Sequence, residues 1–177
     1  MKPFHYLGWA CFIAAILFNI YQRVVLRDTP LNIFHLEFVN ATDGRALISE
    51  WEGTPTVNKT TLVQEAIKNT RWDFLFIIGY VSVIIMLSYS QMQREPKAAL
   101  NELLRLNFLL AIVAGLLDVT ENTLLLYNMA PHSIGKVFLS TYWFALPKFI
   151  LAGWATLVWL VSLVSARPIS MRKAYLN

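Results

Sequence analysis

The chain is short of several things at once. It has one cysteine in 177 residues, which excludes a disulfide scaffold. Its 7 glycines and 7 prolines follow no period, which excludes a collagen-like or low-complexity chain. Charged residues make up only 15% of it, where a soluble domain carries about 25%. The net charge of +4 is not gathered into a basic cluster of the kind that tracks phosphates, so nucleic acid is not an expected partner. HExxH, CxxC, a glycine-rich phosphate loop and a serine elbow are all missing. The three histidines, His5, His35 and His132, are expected near different membrane faces and so make no single metal site, and none falls deep inside an apolar run where a haem would need it. No metal or cofactor is expected. Asp118, Glu121 and Asn122 alone would give a hard-cation site too few ligands.

What is abundant is hydrophobicity: 56% of residues and a mean hydropathy of +0.50. That excludes disorder and points to an integral membrane protein. Four apolar runs stand out, and the spacing predicts helices over about 4–22, 72–90, 106–128 and 137–164. The first run follows Lys2 as the core of a signal peptide would. No small-x-small cleavage site follows it, so it reads as a retained helix. The whole chain is then one membrane domain, an all-α bundle of four transmembrane helices.

With the termini on one side, that side holds Lys2, Arg94, Lys97, Arg105, Arg167, Arg172 and Lys173 against only Glu95 and Glu102. The positive-inside rule assigns it to the cytoplasm. The expected arrangement is N-in, C-in in the plasma (cell inner) membrane, with 23–71 as an extracytoplasmic cap loop. This loop lacks cysteine, which leans toward a bacterial source. Asn40-Ala-Thr and Asn58-Lys-Thr are glycosylation triplets at about chance frequency.

Within the loop, Phe34-His35-Leu36-Glu37-Phe38 nearly alternates, Thr42-Asp43-Gly44 reads as a turn, and Ala46-Leu47-Ile48 follows. This predicts a β-hairpin. Thr60 or Thr61 then caps a short helix with Leu62, Ala66 and Ile67 on one side. The expected cap is a small hairpin plus a short helix. This layout resembles that of the claudin-like four-helix proteins, with a long first outer segment containing strands. The Trp-Gly-Leu-Trp and paired cysteines of that family are absent here, and the resemblance extends to plan alone, with no function carried over.

Small and polar residues recur at helical spacing: Gly8, Cys11, Ala15, Asn19 and Gln22 in the first run, Gly79, Ser82 and Met86 in the second. The third carries Ala111, Ala114, Gly115, Asp118, Glu121 and Asn122, and the fourth Thr141, Ala145, Lys148, Ala152 and Ala155. Small residues mark helix contacts in lipid. Ionisable residues at that depth mark function by default.

Asp118 and Lys148 lie equally far from the centre of the third interhelical connection, so an antiparallel hairpin sets them at one depth as an ion pair. Glu121 and Asn122 lie on the same face one turn outward, facing a pocket. Asn19, Gln22, Arg23, Asp73, Tyr80 and Tyr142 join them in the outer half, while the inner half reads as nearly apolar. The candidate binding residues are therefore Asp118, Glu121, Asn122, Lys148, Asn19, Arg23, Tyr80 and Tyr142.

Three functions fit. The first is a non-enzymatic subunit, assembly factor or binding protein for membrane lipids, another membrane protein or a second copy, with a polar intramembrane pocket. The second is a small membrane enzyme acting on a lipid head group through Asp118, Glu121 and Lys148. The third is an oligomeric proton or ion path.

Overall fold

The computed structural model describes residues 2–26, 31–56, 59–130 and 137–174. It is nearly all helical: α1 (Lys2–Val25), α2 (Ile33–Phe38), α3 (Ala41–Gly53), α4 (Leu62–Met92), α5 (Ala98–Met129) and α6 (Tyr142–Ala174). Helices α1, α4, α5 and α6 are long and apolar enough to cross a membrane. Thr61 caps α4 through a reciprocal box with Gln64, each side chain hydrogen-bonded to the other residue's backbone N–H (3.3 and 3.1 Å). The short helix expected after Thr61 is thus the start of α4 itself. At about 1.5 Å per residue, 31 residues exceed the roughly 30 Å hydrocarbon thickness. The first turns of α4 carry the cap.

No strand occurs among the described residues, so the β-hairpin is corrected to two helices. Two asparagines decide the matter. Asn32 Oδ1 accepts the His35 N–H (3.1 Å) and Asn40 Oδ1 accepts the Asp43 N–H (2.9 Å), each satisfying a donor that a helix start leaves unpaired. The apolar period is three rather than two. Leu36 and Val39 are buried with Ile33 packed beside them, while Phe34 is exposed. The Asp-Gly read as a turn sits in the first turn of α3, where Asp43 favours the helix dipole. Gly44 is there for contact: a Cβ would lie 2.7 Å from the Phe138 ring. With helices in place of strands, the plan shared with claudin-like proteins loses its distinguishing element. Asn40 of the first glycosylation triplet is this cap residue, and Asn58 lies outside the described residues.

The main apolar core lies under the cap. Leu36, Val39, Ile48, Trp51 and Phe138 pack on the cap-end turns of α4 and α5 through Leu62, Val63, Ala66, Leu125 and Met129. Asn128 fastens the α5–α6 connection by donating to the Leu139 carbonyl and accepting from its N–H, both at 2.9 Å.

In the long helices, α4, α5 and α6 pack on one another and α1 docks on α4, while α1 and α6 do not pack along their length. The docking of α1 is close because Gly79 has no side chain. A Cβ there would stand 2.6 Å from the Phe12 backbone nitrogen. Stacked rings flank the crossing, Phe12 on Phe76 (5.6 Å) and Phe18 on Trp72 (4.6 Å).

The contact at Gly79 is with backbone and cannot be relieved by a rotamer change. Gly79→Ala is expected to loosen α1 and lower the thermal midpoint in detergent by the equivalent of about 1–3 kcal/mol, the usual cost of overpacking. Gly153→Ala, where a Cβ meets nothing within 4 Å, serves as the control and should leave the midpoint within error.

Candidate intramembrane site

Lys148 is the only buried cation among the described residues, 6% exposed. Its Nζ lies 2.7 Å from Asp118 Oδ1, 2.7 Å from Glu121 Oε2 and 3.7 Å from Glu37 Oε2. Each partner arrives on a different structural logic. Asp118 and Glu121 are one turn apart on α5 and share a face. Lys148 meets them because α5 and α6 are antiparallel neighbours. Glu37 comes from the cap, on the six-residue α2.

That short helix is held down on α6. Thr141 Oγ1 donates to the Glu37 carbonyl (3.0 Å). Phe38 packs against Tyr142 (5.9 Å) and Phe149 (6.2 Å), and Phe34 against Phe149 (5.8 Å). Burial, the largest cause, pushes the Glu37 carboxyl up to about 8; Lys148 opposes the rise and Glu121 adds to it.

Beside this cluster a second polar contact joins α4 to α5: Asn122 Nδ2 donates to Asp73 Oδ2 at 2.7 Å. A third joins α1 to α4, with Gln22 Nε2 donating to Glu65 Oε2 at 3.3 Å. Glu65 also accepts from Thr60 Oγ1 (2.8 Å).

Two cavities meet here. The upper one, at the cap end, is a polar chamber of about 380 Å³ whose lining includes Asn19, Gln22, Arg23, Asn69, Thr70 and Asn122. The lower one is a mostly apolar groove of about 690 Å³ between α1, α4 and α6. It runs from Tyr80, Asp118 and Lys148 past Phe76, Val83 and Phe149 to Leu157 and Leu160. It occupies the gap left where α1 and α6 do not pack. Glu37 and Asp73 line both.

The sequence-derived residues are thus distributed unevenly. Asp118 and Lys148 pair at the top of the groove, and Tyr80 lines it. Asn19, Arg23 and Asn122 line the chamber. Glu121 is fully buried within the ion cluster, with no hydrogen-bond partner for Oε1 among the described residues, and so does not face the chamber. Tyr142 packs on the cap aromatics, outside both cavities.

Asp73 was expected in the outer polar half beside Tyr80, whereas Glu37 and a polar network in the far half escaped sequence reading. Glu37 and Asp73 are the carboxylates common to both cavities. Glu37 was masked by the alternating pattern around it; its signal is an acid one residue before Phe38 in an otherwise apolar stretch. The far half of the bundle, read as nearly apolar, holds a polar network as well. Asn107 Nδ2 donates to the Ala155 carbonyl (2.9 Å) and Ser88 Oγ (3.1 Å), Gln91 to Ser162 Oγ (3.2 Å), and Ser162 to Glu95.

The fold and site together define a membrane-embedded helical protein with an internal ion cluster and an amphipathic cavity. The chain matches no protein-family model, and no curated protein and no solved structure is significantly similar to it.

Removing the cation leaves buried carboxylates uncompensated. Lys148→Met should therefore destabilise the protein by about 3–5 kcal/mol, read as a lower thermal midpoint in detergent. Adding Asp118→Asn and Glu121→Gln should recover part of the loss; a triple variant no more stable than Lys148→Met would show the pairing to be energetically idle.

Glu37 gives a second expectation. Its folded carboxyl titrates near 8, its unfolded one in the ordinary range near 4.3. Between those values the folded state holds the extra proton, so its contribution is complete at low pH and lost as pH rises toward 8. The thermal midpoint should fall from pH 5 to pH 8 and then level, and Glu37→Gln should flatten that slope.

Proposed function

We propose that this protein is a non-enzymatic lipid-binding protein of the cell membrane. It takes a lipid head group in the polar chamber and hydrocarbon in the groove below. One observation carries the reading: two cavities of opposite polarity meet at shared carboxylates, as an amphipathic ligand requires. The gap between α1 and α6 gives the groove a lateral side facing lipid. The charge bias between the two ends favours N-in, C-in, with the cap extracytoplasmic. The cysteine-free cap favours a bacterial membrane.

The enzymatic alternative assigns catalysis to Asp118, Glu121 and Lys148. Their mutual ion pairs argue against it, because Glu121 is enclosed and Lys148 is already committed to carboxylates. The ion-path alternative needs polar continuity between the ion cluster and the far network around Asn107. The intervening buried face of α5 presents Ala111, Ala114 and Gly115, which argues against it.

The groove offers a direct test. Gly153 lines it, and a Cβ there enters open space, so Gly153→Phe should fill the groove without disturbing the fold. Protein purified in mild detergent should carry lipid detectable by native mass spectrometry. Gly153→Phe should retain about tenfold less, equivalent to about 1.4 kcal/mol. Equal lipid retention by the two proteins, or a folded parent with no lipid, would reject this reading.

A further inference from the structure

The chamber's internal hydrogen bonds have a direction. Four of its lining side chains each donate one hydrogen bond to the protein. Asn19 Nδ2 donates to the Ala15 carbonyl (3.0 Å), Gln22 Nε2 to Glu65 (3.3 Å), Thr70 Oγ1 to the Ala66 carbonyl (3.0 Å) and Asn122 Nδ2 to Asp73 (2.7 Å). Their side-chain oxygens keep acceptor capacity, while Asn19, Gln22 and Asn122 each keep one amide N–H as well. Gln22 is 5% exposed and its Oε1 has no hydrogen-bond partner among the described residues. Asp73 accepts from Asn122 through Oδ2. Glu37 Oε2 is buried, 3.7 Å from a Lys148 that is closer to two other carboxylates, and its carboxyl adjoins that of Glu121. Donors also stand on the wall: the amides of Asn69 and of Asn32, whose Oδ1 accepts the His35 N–H, and the exposed Arg23.

The charges point the same way. Glu37, Asp118 and Glu121 lie around a single lysine, Asp118 and Glu121 holding it most closely, and Asp73 lines the same groove. The two carboxylates least compensated by Lys148 are the two that line both cavities. Buried acceptors without donors are costly, and carboxylates in a low-dielectric site favour a cation over a neutral group. A phosphate or sulfate placed among them would meet like charge.

Resting on the lipid-binding reading above, we infer that the ligand is an amphiphile bearing a protonated primary amine, seated between Glu37 and Asp73 with its chain in the groove. A primary ammonium carries three N–H donors and one positive charge, matching the two carboxylates and the Gln22 carbonyl oxygen. The groove continues directly from those carboxylates along α4 and α6 to Leu160. Two kinds of molecule share this chemistry: a single-chain long-chain amine and an amine-headed phospholipid. In the second, the phosphate needs a cation, and Arg23 on the chamber wall is the available one.

Binding should also be linked to Glu37. The charged groups facing its carboxyl are Lys148 from α6, Glu121 from α5 and Asp73 from α4, with Asp118 beside Lys148. An incoming ammonium stabilises the ionised form, so it displaces the proton that Glu37 otherwise retains to about pH 8. Alkylammonium groups stay charged throughout that range, by comparison with lysine near 10.4.

The experiment uses the full chain in nanodiscs and measures binding of chain-matched probes: hexadecylamine against hexadecanol, and phosphatidylethanolamine against phosphatidylglycerol. The amine of at least one pair should bind about tenfold more tightly than its partner. That preference should grow from pH 6 to pH 8 and disappear in Asp73→Asn and in Glu37→Gln. A preference seen only with hexadecylamine identifies a single-chain amine, and one seen only with phosphatidylethanolamine a phospholipid. Amine and neutral or anionic partner binding equally, with both displaced by Gly153→Phe, would overturn the amine assignment while leaving lipid binding intact. No binding by any probe would remove both. The probe series on the unmodified chain decides the matter even if a carboxylate variant fails to fold.

Discussion

One lysine among carboxylates organises this molecule. Moving a cation such as Lys148 out of water costs several kcal/mol, and a single carboxylate rarely offsets that cost. Here Asp118 and Glu121 both stand at 2.7 Å, which fixes the register of α5 against α6. They also create the opposite problem, because two carboxylates per lysine leave the interior negative, and Glu37 adds to the excess once it ionises. The cluster is therefore a poor source of stability and a strong source of geometry. It has one arrangement in which each acid is near the cation, and α2, α5 and α6 must all be in place to make it. The cap is consequently part of the intramembrane site, since one of its helices supplies a wall of both cavities.

Where the long helices touch and where they stay apart follows from side-chain size. Helices in lipid gain little from burying apolar surface against each other, so close approach depends on small residues. Gly79 lets the backbone of α1 reach α4 at Phe12, and Ala111, Ala114, Ala145 and Ala155 are enclosed on α5 and α6. On the side where α1 and α6 would meet, the lining is instead Phe12, Phe149 and Leu157 around open space. The same chemistry that tightens three of the interfaces props the fourth open. The groove is thus a consequence of the packing pattern and needs no distortion of any helix.

Much of this was legible in the chain. Run length and composition define four apolar helices, and equal distances from one connection bring Asp118 and Lys148 to one depth. The inward stripes of small residues are where the helices meet. The cap was misread for a physical reason. Over five residues, Phe34 to Phe38 satisfies a period of two, and only the addition of Ile33 and Val39 reveals the period of three that the core enforces. The asparagine caps carry that information, but Asn40 also begins a glycosylation triplet and Asp43-Gly44 is also a hairpin turn, so local patterns competed. Glu37 was lost with the hairpin. The division of labour between Glu121 and Asn122 was not legible either. Adjacent residues on one face differ by about 100° in direction, enough to send one to Lys148 and the other to Asp73, and only the neighbouring helices decide which. The far network escaped because Ser88, Gln91, Glu95 and Asn107 lie at the edges of apolar runs, where polar residues read as solvated ends.

The placement of Glu37 outside the spans but inside the site has a thermodynamic consequence. With α2 seated on α6, its carboxyl is desolvated and keeps its proton to about pH 8. If α2 lifted, the same group would return to water and to ordinary carboxylate acidity. Seating and protonation are therefore one coupled equilibrium: whatever holds α2 down raises the affinity of Glu37 for a proton, and whatever removes that proton weakens the seating by the same free energy. A positive charge placed beside the ionised carboxylate breaks this relation, since it supplies the compensation that the proton otherwise provides. The aromatic contacts of Phe34 and Phe38 with Phe149 oppose lifting without regard to charge, and so set how far ionisation of Glu37 alone can go before the cap gives way.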